Sequence, residues 1–158
     1  MQVNDIVQNF TLQDQDGHDV SLSDYATRPV VLFFYPRADT PGCTTEACGF
    51  RDSYQELKAA GAVILGISRD TVKAQKKFEQ KFELNYPLLA DPEEKVCNLF
   101  GVLKPKSMYG KLVSGIERTT FVIARGDSEG NQRILHVFEK VKPEGHAAEV
   151  LALLEESH

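Results

Sequence analysis

The chain has no tryptophan, three cysteines and two methionines among its 158 residues. It also lacks any apolar run of the roughly 18 residues that a membrane helix needs. Three cysteines are an odd number and too few for a disulfide-built scaffold of this length. The natural setting is therefore reducing and cytoplasmic, where each thiol must be explained by packing, metal or chemistry. Met1–Gln8 carries acid and amide rather than a basic stretch followed by an apolar one, so no leader is expected. Positive charge is scarce as well: 18 Lys+Arg stand against 23 Asp+Glu, for a formal charge of −5. That is the wrong sign for a chain whose main partner is a phosphate backbone. What the chain does have is 42% hydrophobic and 26% charged residues, a composition suited to one domain over residues 1–158. It has no internal repeat, low-complexity segment or linker.

Phe10 and Leu12, then Val20 and Leu22, alternate with polar residues around Asp14-Gln15-Asp16-Gly17, which predicts an N-terminal hairpin outside the main sheet. Val30 to Tyr35 is a continuous apolar run stopped by Pro36, the pattern of a strand buried on both faces. A loop follows. From Thr44 to Ala60, Ala47, Phe50, Tyr54 and Leu57 recur at helical spacing, and Gly61 is placed to end the helix. Ala62 to Ile67 reads as a second buried strand, and Asp70 as the cap of a helix presenting Val72, Phe78 and Phe82. Leu88-Leu89 marks a short strand. Asp91-Pro92-Glu93-Glu94 opens a short helix that Gly101 closes. Thr119–Ala124 and Arg133–Phe138 form a hairpin across 125–131, and Ala147, Val150, Leu151 and Leu154 lie on a last helix. Together these predict an α/β fold with a mixed central sheet covered by helices on both faces.

Cys43 follows the loop and opens a helix, where unpaired amides and the positive dipole end stabilise a thiolate. Cys48 lies five residues on. In an ideal helix that places it about 140° round the axis and about 7.5 Å along it, roughly 8.7 Å between Cα atoms. A disulfide needs less than about 7 Å. The pair is badly placed for a static bridge and well placed for one made and broken as the first turns unwind. Cys-x4-Cys is not the Cys-x2-Cys of thioredoxin-like dithiols. A zinc site would need further ligands from Cys97, His18, His136, His146 and His158, none of which forms a second short-spaced pair. The plainer alternative is that both thiols are buried small hydrophobes.

At these residues the sequence resembles a known family. Pro36-Arg37-Ala38-Asp39-Thr40-Pro41-Gly42-Cys43 fits the Pro-x-x-x-Thr-x-x-Cys motif of peroxiredoxins. Thr40-Pro41-Gly42-Cys43-Thr44-x-x-Ala47-Cys48 with Arg51-Asp52 is similar to the bacterioferritin comigratory protein, or peroxiredoxin Q, subgroup. Val96-Cys97, Phe100-Gly101-Val102, Lys106-Ser107, Gly110-Lys111, Gly115-Ile116 and Arg118 continue the likeness in the same order. The resemblance implies a thioredoxin-like fold and an antioxidant thiol peroxidase, acting on hydrogen peroxide and organic hydroperoxides without metal, haem or flavin. It implies that Cys43 is the peroxidatic thiolate and that Thr40, with the Cys43 amide, holds the peroxide. Arg118 would favour the thiolate, Pro36 would shield the sulfur, and Glu46 would orient Arg118. Cys48 would resolve the Cys43 sulfenic acid as an intramolecular disulfide that thioredoxin reduces. Some members carry the resolving cysteine on the following helix, but Asp70–Phe82 contains none.

Each residue also has a plainer role open to it: Thr40 as a helix cap, Arg118 as a strand-end charge, Pro36 as a strand stop. Cys97, beside Val96, Leu99 and Phe100, reads as a packed, unreactive thiol. The four histidines show no cooperating spacing, and Lys73, Lys76, Lys77 and Lys81 read as a solvated helix face. Two other functions share much of this pattern: a peroxide sensor that relays oxidation to a partner, and a structural or metal-binding module on the same fold. The subgroup and the lack of an extended apolar terminus point to a monomer.

Overall fold

The structure, a computed structural model, describes residues 1–156. Its frame is the pair of strands β3 (Val30–Phe34) and β4 (Val63–Ser68), parallel and in register from Val30 opposite Val63 to Phe34 opposite Ile67. Both are buried along nearly their whole length. Seven strands make one mixed sheet in the order β2-β1-β5-β4-β3-β8-β9. Here β1 is Thr11–Gln13, β2 Asp19–Ser21, β5 Leu88–Ala90, β8 Thr119–Ile123 and β9 Ile134–Phe138. β5 joins β4 in parallel; the flanking pairs are antiparallel.

Because successive strand residues point to opposite faces, β3 divides its side chains between two cores. Val30, Leu32 and Phe34 face one that also holds Val96, Cys97 and Phe100 of α4 (Lys95–Phe100). Val31, Phe33 and Tyr35 face the other, built with α1 (Pro41–Asp52), α2 (Tyr54–Ala59), α3 (Val72–Phe82) and α5 (His146–Glu156). The second core contains Phe33 stacked on Phe50 at 4.6 Å between ring centroids. Gly66 makes room for that ring: a Cβ there would stand 2.9 Å from Phe33 and 3.0 Å from a Leu88 methyl.

Several sequence expectations are corrected. The N-terminal hairpin belongs to the main sheet, docking on β5 through the Gln13–Ala90 pair. The side chain of Gln15, at its turn, accepts from the Leu88 amide at 2.8 Å and donates to Tyr86 O at 3.1 Å. The helix expected over 44–60 is two helices, because Ser53 at φ −94°, ψ 5° leaves the helical region between α1 and α2. Thr71, not Asp70, caps α3, its hydroxyl accepting from the Ala74 amide. Asp91 stands ahead of α4 rather than at its N-cap, which is Glu94, yet its carboxylate accepts from the Val96 and Cys97 amides. Residues 103–116, which the sequence pattern left unassigned, form a separate two-stranded hairpin, β6 (Leu103–Met108) with β7 (Lys111–Ile116). No helix among the described residues is long and apolar enough to cross a membrane.

Candidate active site

Tyr35 prolongs β3, its amide donating to Ile67 O at 3.1 Å, and the half-buried Pro36 then turns the chain out of the sheet. The loop to Thr40 includes Asp39 in the left-handed region at φ 59°. Thr40 returns to an extended conformation as the N-cap of α1, Pro41 takes the first helical position, and Cys43 falls in the first turn. The first helical acceptor is Thr40 O, reached by the Thr44 amide at 2.8 Å, so the Cys43 amide lies ahead of the helical hydrogen-bond ladder. The Thr40 hydroxyl does not cap the helix. It donates to Arg37 O at 2.8 Å and folds the loop on itself.

Cys43 is 1% exposed. Arg118 reaches it from the far end of the sequence through the antiparallel β3–β8 register, which sets Phe34 opposite Thr119 and so carries the residue before Thr119 to the C-terminal end of β3. One Arg118 guanidinium nitrogen lies 3.5 Å from Cys43 Sγ, and the other donates to Glu46 Oε1 at 2.8 Å. The arginine thus bridges two residues three apart on α1, which share a helix face. Burial pushes the Glu46 carboxyl up to about 7 against the opposing pull of Arg118. Its second oxygen, Oε2, is buried without a hydrogen-bond partner among the described residues. Burial alone would lower the Arg118 pKa, but Glu46 and the Cys43 sulfur raise it above its usual value.

Cys48 is half-buried on the same helix; all three thiols are free. Around it α1 is anchored from outside. The Tyr86 hydroxyl donates to Ala47 O at 2.7 Å, and the Arg51 guanidinium to Phe82 O at 2.7 Å. Cys97 sits fully buried in the opposite core, where burial and the neighbouring Asp91 push its thiol far up. His146 is buried and bonded to the Thr120 hydroxyl at 2.8 Å; His158 lies outside the described residues. The lysine face of α3 is solvated but carries ion pairs, Lys76 with Asp16 at 2.7 Å and Lys81 with Asp39 at 2.9 Å. The one cluster of possible metal ligands among the described residues is Asp14, Asp16 and His18, on the exposed β1–β2 turn. There Asp14 Oδ1 accepts from the Asp16 and His18 amides.

The sequence reading missed two supports. Gly42 is one: a Cβ there would stand 2.9 Å from an Arg118 guanidinium nitrogen and 3.3 Å from Pro143. The other is a polar chain behind the loop. Asp70 Oδ2 accepts from the Ala38 amide at 2.8 Å and from the Ser68 hydroxyl at 2.6 Å. Gln75 donates to Ser68 Oγ at 3.1 Å and to Leu89 O at 2.8 Å, and accepts from the Tyr35 hydroxyl. One signal was available: Gln75 shares the apolar face of α3 with Phe78 and Phe82, and a polar residue there needs partners.

Comparison with known proteins gives the chain's family and fold. The profile of the AhpC/TSA family matches residues 3–128. The chain is 44% identical over 156 residues to the peroxiredoxin Bcp of Escherichia coli K12, covering 99% of this chain and 97% of that one. Among solved structures it is similar to the peroxidoxin BcpB of Mycobacterium tuberculosis, with a TM-score of 0.86, 41% identity and coverage of 100% and 99% of the two chains. It is also similar to the bacterioferritin comigratory protein of Xanthomonas campestris, with a TM-score of 0.86, 40% identity and coverage of 94% and 91%. The study of that protein concerns its alkyl peroxide reduction activity.

Proposed function

The chain belongs to the AhpC/TSA family, in its Bcp and peroxiredoxin Q branch, and from that premise we propose that it is a two-cysteine thiol peroxidase for hydrogen peroxide and organic hydroperoxides, recycled by thioredoxin. The observation that carries this reading is the guanidinium of Arg118 held between Cys43 Sγ and Glu46. A fixed cation beside the sulfur favours the thiolate and stands where charge develops on the peroxide.

In the first step Cys43 thiolate attacks one peroxide oxygen and the O–O bond breaks. The bonding pair leaves on the second oxygen, which takes a proton and departs as alcohol, or as water from hydrogen peroxide. Cys43 becomes a sulfenic acid, oxidised by two electrons. The Cys43 amide serves as a donor to the breaking bond, and the Thr40 hydroxyl becomes a second when its proton turns from Arg37 O to the peroxide. Pro36 shields the sulfur from water, and Glu46 orients Arg118. In the second step Cys48 attacks the Cys43 sulfur, water leaves, and a disulfide joins the two. A dithiol reductant then returns both to thiols. The protein acts in the cytoplasm as a monomer of one domain, and the chemistry calls for no metal, haem or flavin.

Peroxide consumption coupled to thioredoxin, thioredoxin reductase and NADPH tests the reading. Sustained turnover is expected of the wild type, none of Cys43→Ser, and a single burst of one equivalent per Cys43 of Cys48→Ser. A wild type that gives one burst and stalls would remove thioredoxin as the reductant and favour a peroxide sensor that passes its oxidation to a partner.

A further inference from the structure

The two steps make opposite demands on the Pro36–Thr40 loop. Attack on peroxide needs Thr40 and the first turn of α1 held against Arg118, since a misplacement of about 1 Å at a reacting centre can cost a hundredfold in rate. Disulfide formation needs that same turn to unwind, because roughly 8.7 Å between Cα atoms in an ideal helix exceeds the reach of a disulfide. Whatever pins the loop must therefore help one step and hinder the other.

The structure assigns that pin to Asp70, in an inference that rests on the two-cysteine reading above. Asp70 lies just beyond the C-terminal end of β4, outside the thiol site, and its Oδ2 takes the Ala38 amide at 2.8 Å. Ala38 is two residues before Thr40, so this bond fixes the chain just upstream of the turn that must move. The carboxylate is itself held in place. The Ser68 hydroxyl donates to the same oxygen at 2.6 Å, and the Asp70 amide donates to Ser68 Oγ at 3.2 Å. Ser68 is fully buried and receives Gln75 at 3.1 Å, and Gln75 is anchored on Leu89 O of β5. The pin thus runs from the rigid sheet through Gln75, Ser68 and Asp70 to one backbone amide of the reactive loop. A hydrogen bond to a charged acceptor is among the stronger kinds, yet it is a single bond and can open within a catalytic cycle. Asp70 is a positioning residue that divides the enzyme's time between the wound state, which meets peroxide, and the unwound state, which meets Cys48.

Rapid quench with thiol alkylation and intact mass follows Cys43 sulfenic acid and the Cys43–Cys48 disulfide separately. Asp70→Ala removes the acceptor, and oxidation of Cys43 is expected to slow about tenfold while disulfide formation from the sulfenic acid speeds up severalfold. Asp70→Asn keeps a carbonyl oxygen for Ala38, and both rates are expected within about twofold of wild type. Ser68→Ala, which leaves Asp70 in place but frees it, should move both rates in the same directions by less, and carries the test if Asp70→Ala does not fold. Two rates that fall together, two that do not change, or an Asn variant as impaired as the Ala variant would overturn the assignment to Asp70. A wild type that forms no Cys43–Cys48 disulfide in this assay would instead overturn the two-cysteine reading itself.

Discussion

At the scale of single residues the site is set by what a side chain lacks as much as by what it offers. Gly42 offers nothing, and the space it leaves is filled by Arg118. In Gly42→Ala the hard contact, at 2.9 Å, is with the tip of the flexible Arg118 side chain, and Pro143 at 3.3 Å need give only a few tenths of an ångström, so the fold is expected to stand while the guanidinium moves off the sulfur. The rate of Cys43 oxidation should fall roughly 10- to 100-fold with little change in melting temperature, measured by competition for hydrogen peroxide and by circular dichroism. Glu46 makes a pH prediction. Its carboxyl is raised from 4.5 to about 7 by burial, against the pull of Arg118, so between those values the unfolded chain has lost a proton that the folded chain keeps. Stability owed to this group is therefore full below about pH 4.5, declines as pH rises toward 7, and is level above. Urea unfolding at pH 5 and pH 8 should show that decline in the wild type and lose it in Glu46→Gln, a difference on the order of 1–3 kcal/mol.

At the scale of elements, α1 is a reactive helix held at both ends by others: its first turn by Arg118 ahead of β8, its later turns by Tyr86 and by the Phe82 carbonyl at the end of α3. Oxidation to the Cys43–Cys48 disulfide should strip protection from the amides of residues 44–48 in hydrogen exchange and spare those of β3 and β4. Unchanged protection in protein proven to carry that disulfide would remove the unwinding account. The hairpin of β6 and β7 shows the opposite case, an element that its sequence hides. Its first four β7 residues are exposed, and Lys104 and Lys106 alternate with Pro105 and Ser107, so neither face carries the apolar alternation by which half-buried strands are recognised. β3 was legible because burial on both faces leaves an unbroken apolar run.

At the scale of the whole molecule, the sheet keeps one buried thiol on each face, Cys43 with the α1 core and Cys97 with the α4 core. Alkylation under native conditions should modify Cys43 and Cys48 and leave Cys97 untouched until denaturant opens the molecule, so that its labelling reports global unfolding. Cys97 labelling as fast as Cys43 would give it a redox role. Position and spacing singled out Cys43 and Cys48 as candidates, and the family resemblance added Thr40, Pro36, Glu46 and Arg118. Asp70, Ser68 and Gln75 were not legible as a unit. Their contacts with Ala38, Tyr35 and Leu89 depend on where strands end beside one another, which no local pattern encodes.

Without tryptophan, the long-wavelength side of the near ultraviolet, beyond the bands of the nine phenylalanines, is left to five tyrosines, and they are unequally placed. Tyr109 is 99% exposed and free to average its signal away, whereas Tyr86 is buried with its hydroxyl on Ala47 O, between the two cysteines. If the helix between them comes undone, one aromatic ring in a chiral pocket loses its acceptor. The protein then carries its own optical gauge of that event: a change in the tyrosine fine structure of the near-ultraviolet ellipticity, over the broad band of the new disulfide, reversible with the redox cycle and readable without any label.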